Sequence, residues 1–372
     1  MLLIHANYLD EDFRLVQGDI EIEDGKILRV GKDLPRKEED LAVDCAGSYT
    51  VVPGFVDVHI HGCAGADTCD ATREALEAMA AFLLAHGVTS FCPTTMTTSR
   101  ETIQAALLAA KDMMDHPMEG GARVVGVNME GPFIAKERKG AQKEEDILPP
   151  DFPLFQRFYE ESGGIVRLVD VAPEQPGGLE FVEKASQLCT VSIAHTTADY
   201  DQAKAAFDKG VTHATHLFNA MSGLHHRKPG VVGAVFDDSR VRGELICDGF
   251  HIHPAVLRAA FRLLGDRALI VSDSMRANGM PEGEAFDLGG CVRSIRESTS
   301  ARRCCPTAPS RAPSPTCTRK SKTWFPSACP LSRPSRRPLW FPPGPLAWMG
   351  KSAALPRASA PTWWCWMGTC SI

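Results

Sequence analysis

His59 and His61 stand two residues apart in an apolar, β-branched run, Phe55-Val-Asp-Val-His-Ile-His. Alternate residues of a strand share a face, so both imidazoles can address one point. Imidazole nitrogen ligates zinc, iron, cobalt or nickel, and a carboxylate can bridge two ions. A lone His-x-His fits two packed strand histidines equally well. Further donors shift that balance. Glu130, His195, His216, Asp248, His251 and Asp273 each stand at or just past the end of an apolar run. Donors converging from separate strand ends point to a divalent-metal centre. His213, three residues before His216, is expected on the opposite face, as a structural or exposed residue. His5, His86 and His116 fall in terminal or helical positions. Met79, Met113 and Met114 read as helix packing. The cluster His225-His226-Arg227-Lys228 is either a solvated loop or an anion site, since arginine offers bidentate contacts to phosphate.

These donors need a scaffold that gathers strand ends. Short strands are expected at 19–22, 27–30 and 50–52, the second after an Asp24-Gly25 turn. From Phe55 onward, apolar runs alternate with amphipathic helices. Eight strands are expected at 55–61, 88–92, 123–129, 165–171, 191–195, 212–217, 242–247 and 268–271. Leu76, Met79, Ala80 and Leu83 mark a helix face, with Gly87 as its left-handed stop; Ser99 is the N-cap of the next helix. Such alternation implies parallel strands with right-handed crossovers. The fold class is α/β: a (β/α)8 barrel with a small β domain from residues 1–52, the barrel occupying 53–290. Barrel active sites form at the C-terminal strand ends, where the donors stand. An open doubly wound sheet is the alternative, but no Gly-x-Gly-x-x-Gly follows the first strand and no Gly-x-x-x-x-Gly-Lys-Ser/Thr phosphate loop is present.

The 372 residues carry a formal net charge of −6, which argues against general nucleic-acid binding. No apolar run is long enough to span a membrane, and the N-terminus lacks a secretion signal, so a cytoplasmic location with reduced thiols is expected. The average hides a break. Residues 291–372 hold 13 Lys+Arg and one acid, all six Trp, seven of 13 Cys and 13 of 26 Pro, but no His. The rest carries 27 basic against 45 acidic residues. Proline recurs too often there for regular elements. A basic disordered tail or a zinc module is conceivable, but the Trp and Cys content disfavours the first and the absence of Cys-x-x-Cys the second. The genetic code offers another reading. Thr362-Trp-Trp-Cys-Trp-Met-Gly368, read from the third base of the first codon, forces Val-Val-Leu-Asp-Gly, a strand with a turn signal. The segment therefore reads as out of frame from about residue 291, and resequencing the DNA decides it.

The run from Val52 to Gly62, Val-Pro-Gly-Phe-Val-Asp-Val-His-Ile-His-Gly, resembles the start of the amidohydrolase-superfamily barrel. Met129-Glu-Gly-Pro-Phe133, Thr215-His-Leu-Phe-Asn-Ala-Met221, His225-His-Arg-Lys-Pro-Gly230 and Cys247-Asp-Gly-Phe-His251 are narrower. Together they resemble the N-acetylglucosamine-6-phosphate deacetylase family over roughly residues 1–290. The resemblance implies Glu130, His195 and His216 as principal metal ligands and His59 and His61 as a pair for a second ion, zinc or iron. It implies Asp273 as the catalytic carboxylate. It implies Ala141, Asn219, Ala220, Arg227, Asp248 and His251 as contacts to an amino-sugar phosphate, partly completed across a homodimer. A cyclic-amide hydrolase is the near rival, but the Lys many of those need at strand four is absent from Val169-Asp-Val-Ala-Pro-Glu174. A broken, inactive barrel is the other alternative, because the chain as written lacks the family's closing helices and C-terminal strands.

Overall fold

The computed structural model describes residues 1–36, 41–281, 284–288, 291–294 and 365–367. Most of the segment expected to be out of frame lies outside the described residues.

Eight parallel strands form the barrel: Phe55–Ile60, Val88–Thr95, Val127–Met129, Val166–Val171, Thr190–Ile193, Val211–Ala214, Arg242–Ile246 and Ala268–Val271. A short piece, Arg123–Val124, precedes the third and pairs with the second. The strands are rich in Val and Ile and mostly buried, as a sheet covered by helices requires. First and last strands meet through a parallel bridge between Ile60 and Ser274. Asp57 fastens the same seam: its Oδ1 accepts the N–H groups of His59 at 3.2 Å and Ser272 at 3.3 Å.

The helices follow their local signals. Arg73–Ala85 buries Leu76, Met79, Ala80 and Leu83 and stops before Gly87, at φ +87°. Arg100–Asp115 starts at Ser99, whose Oγ accepts the Thr102 N–H. Asp199 and Gln202 form a capping box on Tyr200–Lys209. Met79 and Met113 are buried and Met114 packs on the same core, while His5, His86 and His116 are exposed.

The N-terminal sheet runs Tyr49–Val51, Leu2–Leu9, Leu15–Glu23, Lys26–Gly31, with Ala42–Asp44 beside Leu2–Leu9. Its own core is Leu3, Ala6, Ile20, Ile22 and Cys45. The backbone of Cys365–Met367 adds antiparallel to Tyr49–Val51. Four barrel strands end earlier than expected, the first and seventh by one residue and two others by more. The fifth stops at Ile193 and the sixth at Ala214, because His195 (φ +42°) and His216 (φ +31°) turn into the left-handed region. Asp273 does the same at φ +44°. Non-glycine residues rarely hold this conformation, and its recurrence at strand ends marks a site that the surroundings enforce.

Candidate active site

The strand ends bring Glu130, His195, His216, His59, His61 and Asp273 together, as expected. Glu130 is central. Its Oε1 lies 2.9 Å from His195 Nε2 and 3.0 Å from His216 Nε2. Its Oε2 lies 3.0 Å from His61 Nε2. Asp273 Oδ1 lies 3.5 Å from both His59 Nε2 and His61 Nε2. Its backbone N–H donates to the His59 carbonyl, 3.0 Å away.

The outer ring nitrogens explain this convergence. His61 Nδ1 faces the Thr94 carbonyl and His195 Nδ1 the Arg138 carbonyl, at 3.2 and 2.7 Å. His59 Nδ1 faces Glu244 Oε2 at 2.8 Å. Carbonyl and carboxylate oxygens only accept, so each Nδ1 carries the proton. The Nε2 lone pairs then point inward. His195 and His216 Nε2 are 3.1 Å apart, and His59 and His61 Nε2 are 3.3 Å apart. The facing lone pairs of His59 and His61 repel at such range unless a proton or cation lies between them; the His216 Nδ1 has no hydrogen-bond partner to fix that ring's tautomer. Two sets of donor atoms each fall within 4.8 Å of one another: His59, His61, Glu130 and Glu130, His195, His216. Ligands about 2.1 Å from a tetrahedral ion are separated by about 3.4 Å. The donor set therefore has the types and spacing to hold a divalent cation, with Glu130 common to both groups.

The electrostatics agree. Burial pushes the Glu130 carboxyl up, but His195 and His61 outweigh it and hold it well below the carboxylate range. Burial lowers His216, yet the hydrogen bond and charge of Glu130 lift it to about 9. His59 is raised well above its ordinary value, Glu244 and Asp273 overcoming its burial. Protons and a cation thus compete for the same lone pairs.

The rim is less tightly gathered. The Asp248 carboxylate accepts the N–H groups of Phe250 and His251 and pairs with His251 Nδ1 at 2.7 Å. That hydrogen bond raises His251 against partial burial, and the Asp273 charge adds to it. Asn219 Nδ2 donates to the His216 carbonyl, and the Ala220 carbonyl accepts the Thr196 N–H. Ala141 follows Gly140, where a Cβ would lie 3.5 Å from Cε1 of the His195 ring. Arg227 is exposed on its loop, Nε donating to His226 Nε2; no contact joins it to the buried cluster among the described residues.

Two residues escaped sequence reasoning, and one was misplaced. Gln142 Nε2 donates to Glu130 Oε2 at 2.7 Å, while Gln142 Oε1 accepts the Thr97 N–H at 2.6 Å. Glu244 is fully buried beneath the histidines. His213, expected on the opposite face, is buried, with Nε2 2.7 Å from Glu244 Oε1. The strand ends at Ala214, so the three-residue parity argument from His216 does not apply.

The amidohydrolase family model matches residues 50–292. An N-acetylglucosamine-6-phosphate deacetylase of Bacillus subtilis (strain 168) is 37% identical over 304 residues, 81% of this chain and 76% of that protein. An N-acetylgalactosamine-6-phosphate deacetylase of Escherichia coli O157:H7 is 37% identical over 234 residues, 62% of this chain and 61% of its own. An N-acetyl-D-glucosamine-6-phosphate deacetylase variant of Mycobacterium smegmatis, solved with N-acetyl-D-glucosamine-6-phosphate, aligns at a TM-score of 0.73 and 32% identity, covering 80% of this chain and 76% of that one.

Proposed function

Since this chain belongs to the amidohydrolase family, we propose that it hydrolyses the N-acetyl amide of N-acetylglucosamine 6-phosphate to acetate and glucosamine 6-phosphate. The observation that carries the reading is the Glu130-centred cluster with Asp273 at its edge. Glu130, His195 and His216 would hold one divalent cation, and His59 and His61, sharing Glu130, a second; zinc and iron both suit these donors. When bound, such an ion supplies Lewis acidity toward water and the amide carbonyl.

The remaining work falls to the protein. Asp273 accepts the proton of the attacking water and returns it to the departing amine nitrogen. Its backbone anchor on the His59 carbonyl supports that role by fixing the carboxylate beside the histidines. His251, oriented by Asp248, presents Nε2 as a donor to the developing oxyanion. Asn219, Ala220 and Ala141 line the approach. Arg227 binds the phosphate, and its exposed position suits a site completed by a second copy of the chain. Among the described residues no helix is long and apolar enough to cross a membrane. The galactosamine epimer is the second reading, favoured by the equal identity of the Escherichia coli relative.

Acetate release by the purified full chain tests both. The 6-phosphates of N-acetylglucosamine and N-acetylgalactosamine are compared, with unphosphorylated N-acetylglucosamine as control. Faster release from the glucosamine phosphate is expected, abolished by a chelator. Release from neither phosphosugar overturns the reading.

A further inference from the structure

We infer that Glu244, braced by His213, is a positioning residue that turns His59 into a ligand and thereby makes the His59–His61–Glu130 side of the centre a working cation site. The inference rests on the metal-dependent reading above.

Glu244 lies within the seventh barrel strand, Arg242–Ile246, and is completely buried. A buried carboxylate is costly unless every lone pair it directs inward is used. Here each oxygen is engaged. Oε2 accepts the His59 Nδ1–H at 2.8 Å and the backbone N–H of His216 at 3.1 Å. Oε1 accepts the His213 Nε2–H at 2.7 Å. The Glu244 carbonyl also accepts the Leu217 N–H at 2.8 Å. One side chain therefore sets the His59 tautomer and pins the backbone of His216 in its left-handed turn. Two candidate ion sites share this support.

Comparison within the site gives Glu244 its specific role. His61 and His195 lean on neutral backbone carbonyls. His59 leans on a charged carboxylate, which makes its Nε2 a stronger donor. The His216 Nδ1 has no hydrogen-bond partner, so its backbone anchor is the contact that orients it from behind. His213 prevents the carboxylate from rotating away, because it holds the oxygen that His59 and His216 leave free.

Metal-free full chain is titrated with cobalt(II), following the visible ligand-field bands, and bound metal is counted after gel filtration. Wild type is expected to take up two equivalents. Glu244→Gln, whose amide oxygen can still accept the His216 N–H but brings no charge to His59 Nδ1, should keep the tighter one and bind the second about 10- to 100-fold more weakly. His213→Leu should behave similarly, whereas His213→Gln, which still offers an N–H to Oε1, should restore the second equivalent. Far-UV circular dichroism checks the fold. Wild-type uptake of one equivalent, unchanged two-step uptake in Glu244→Gln, or equal loss of both equivalents in Glu244→Gln and His213→Leu overturns the inference. Two-step uptake that Glu244→Gln abolishes, in a chain releasing no acetate, defeats the deacetylase reading and leaves the inference standing.

Discussion

Gly131 carries the chain from Glu130 to Pro132 with φ +85°. A Cβ there would lie 2.1 Å from Thr97 Oγ1 and 3.2 and 3.3 Å from Thr97 Cβ and Cα. Gly131→Ala therefore carries two penalties. The left-handed backbone costs about 1–2 kcal/mol for a residue with a Cβ. The steric overlap in a packed interior costs about 1–3 kcal/mol. The sum is roughly 2–5 kcal/mol. The displaced atom matters for the site as well. The Thr97 N–H is held by Gln142, which also donates to Glu130. Thr97 Oγ1 is buried without a hydrogen-bond partner, so Thr97→Ala alone should stay within about 1 kcal/mol of wild type. It removes the atom in overlap and leaves contacts of 3.2 and 3.3 Å to Thr97 Cβ and Cα, which small shifts must relieve. The double variant should then retain the backbone penalty and part of the steric one, a favourable coupling of about 1–2 kcal/mol. Urea unfolding of the four metal-free proteins, followed by circular dichroism, measures this cycle. Strict additivity, or a Gly131→Ala protein as stable as wild type, refutes the steric reasoning.

Asp273→Asn should bind metal like wild type yet lose most acetate release; near-normal turnover removes Asp273 from proton transfer. Arg227→Ala should raise KM for the phosphosugar with little change in kcat, read from steady-state kinetics, and leave metal content intact. Burial pushes the Asp57 carboxyl from 3.8 up to about 6. A raised carboxyl pKa means that stability falls as pH rises from about 4 to about 6 and stays lower above, by about 3 kcal/mol over about two pH units. Asp57→Asn keeps an Oδ1 acceptor for His59 and Ser272, so metal-free variant should be more stable than wild type at pH 8 and about equal at pH 4 in urea unfolding.

The barrel was legible because short apolar strand runs alternate with amphipathic helices, one of them opened by a readable cap at Ser99. The ligand cluster was legible because strand ends in such a barrel must meet. Sequence could not reveal Glu244, Gln142 or the true place of His213, for a common reason. Each acts through a hydrogen bond to a residue on another element, 12 residues away for Gln142 and Glu130 and 185 for Glu244 and His59. Each also stands among residues of unremarkable pattern. Parity failed at His213 because its strand ends at Ala214, before the left-handed turn at His216. The first strand, Leu2–Leu9, was missed because its burial does not alternate regularly: the pairing with Leu15–Glu23 shifts register between Leu3 and Ala6, at His5, which has positive φ.

X-ray absorption on zinc-loaded full chain tests the central claim most directly. Zinc bound by these imidazoles and Glu130 should show only nitrogen and oxygen neighbours, at about 2.0–2.2 Å, with the outer-shell scattering of histidine rings. Glu130→Gln should lose that tightly bound zinc. A sulfur shell near about 2.3 Å, which would place the ion on cysteines, or an unchanged spectrum in Glu130→Gln, contradicts the account.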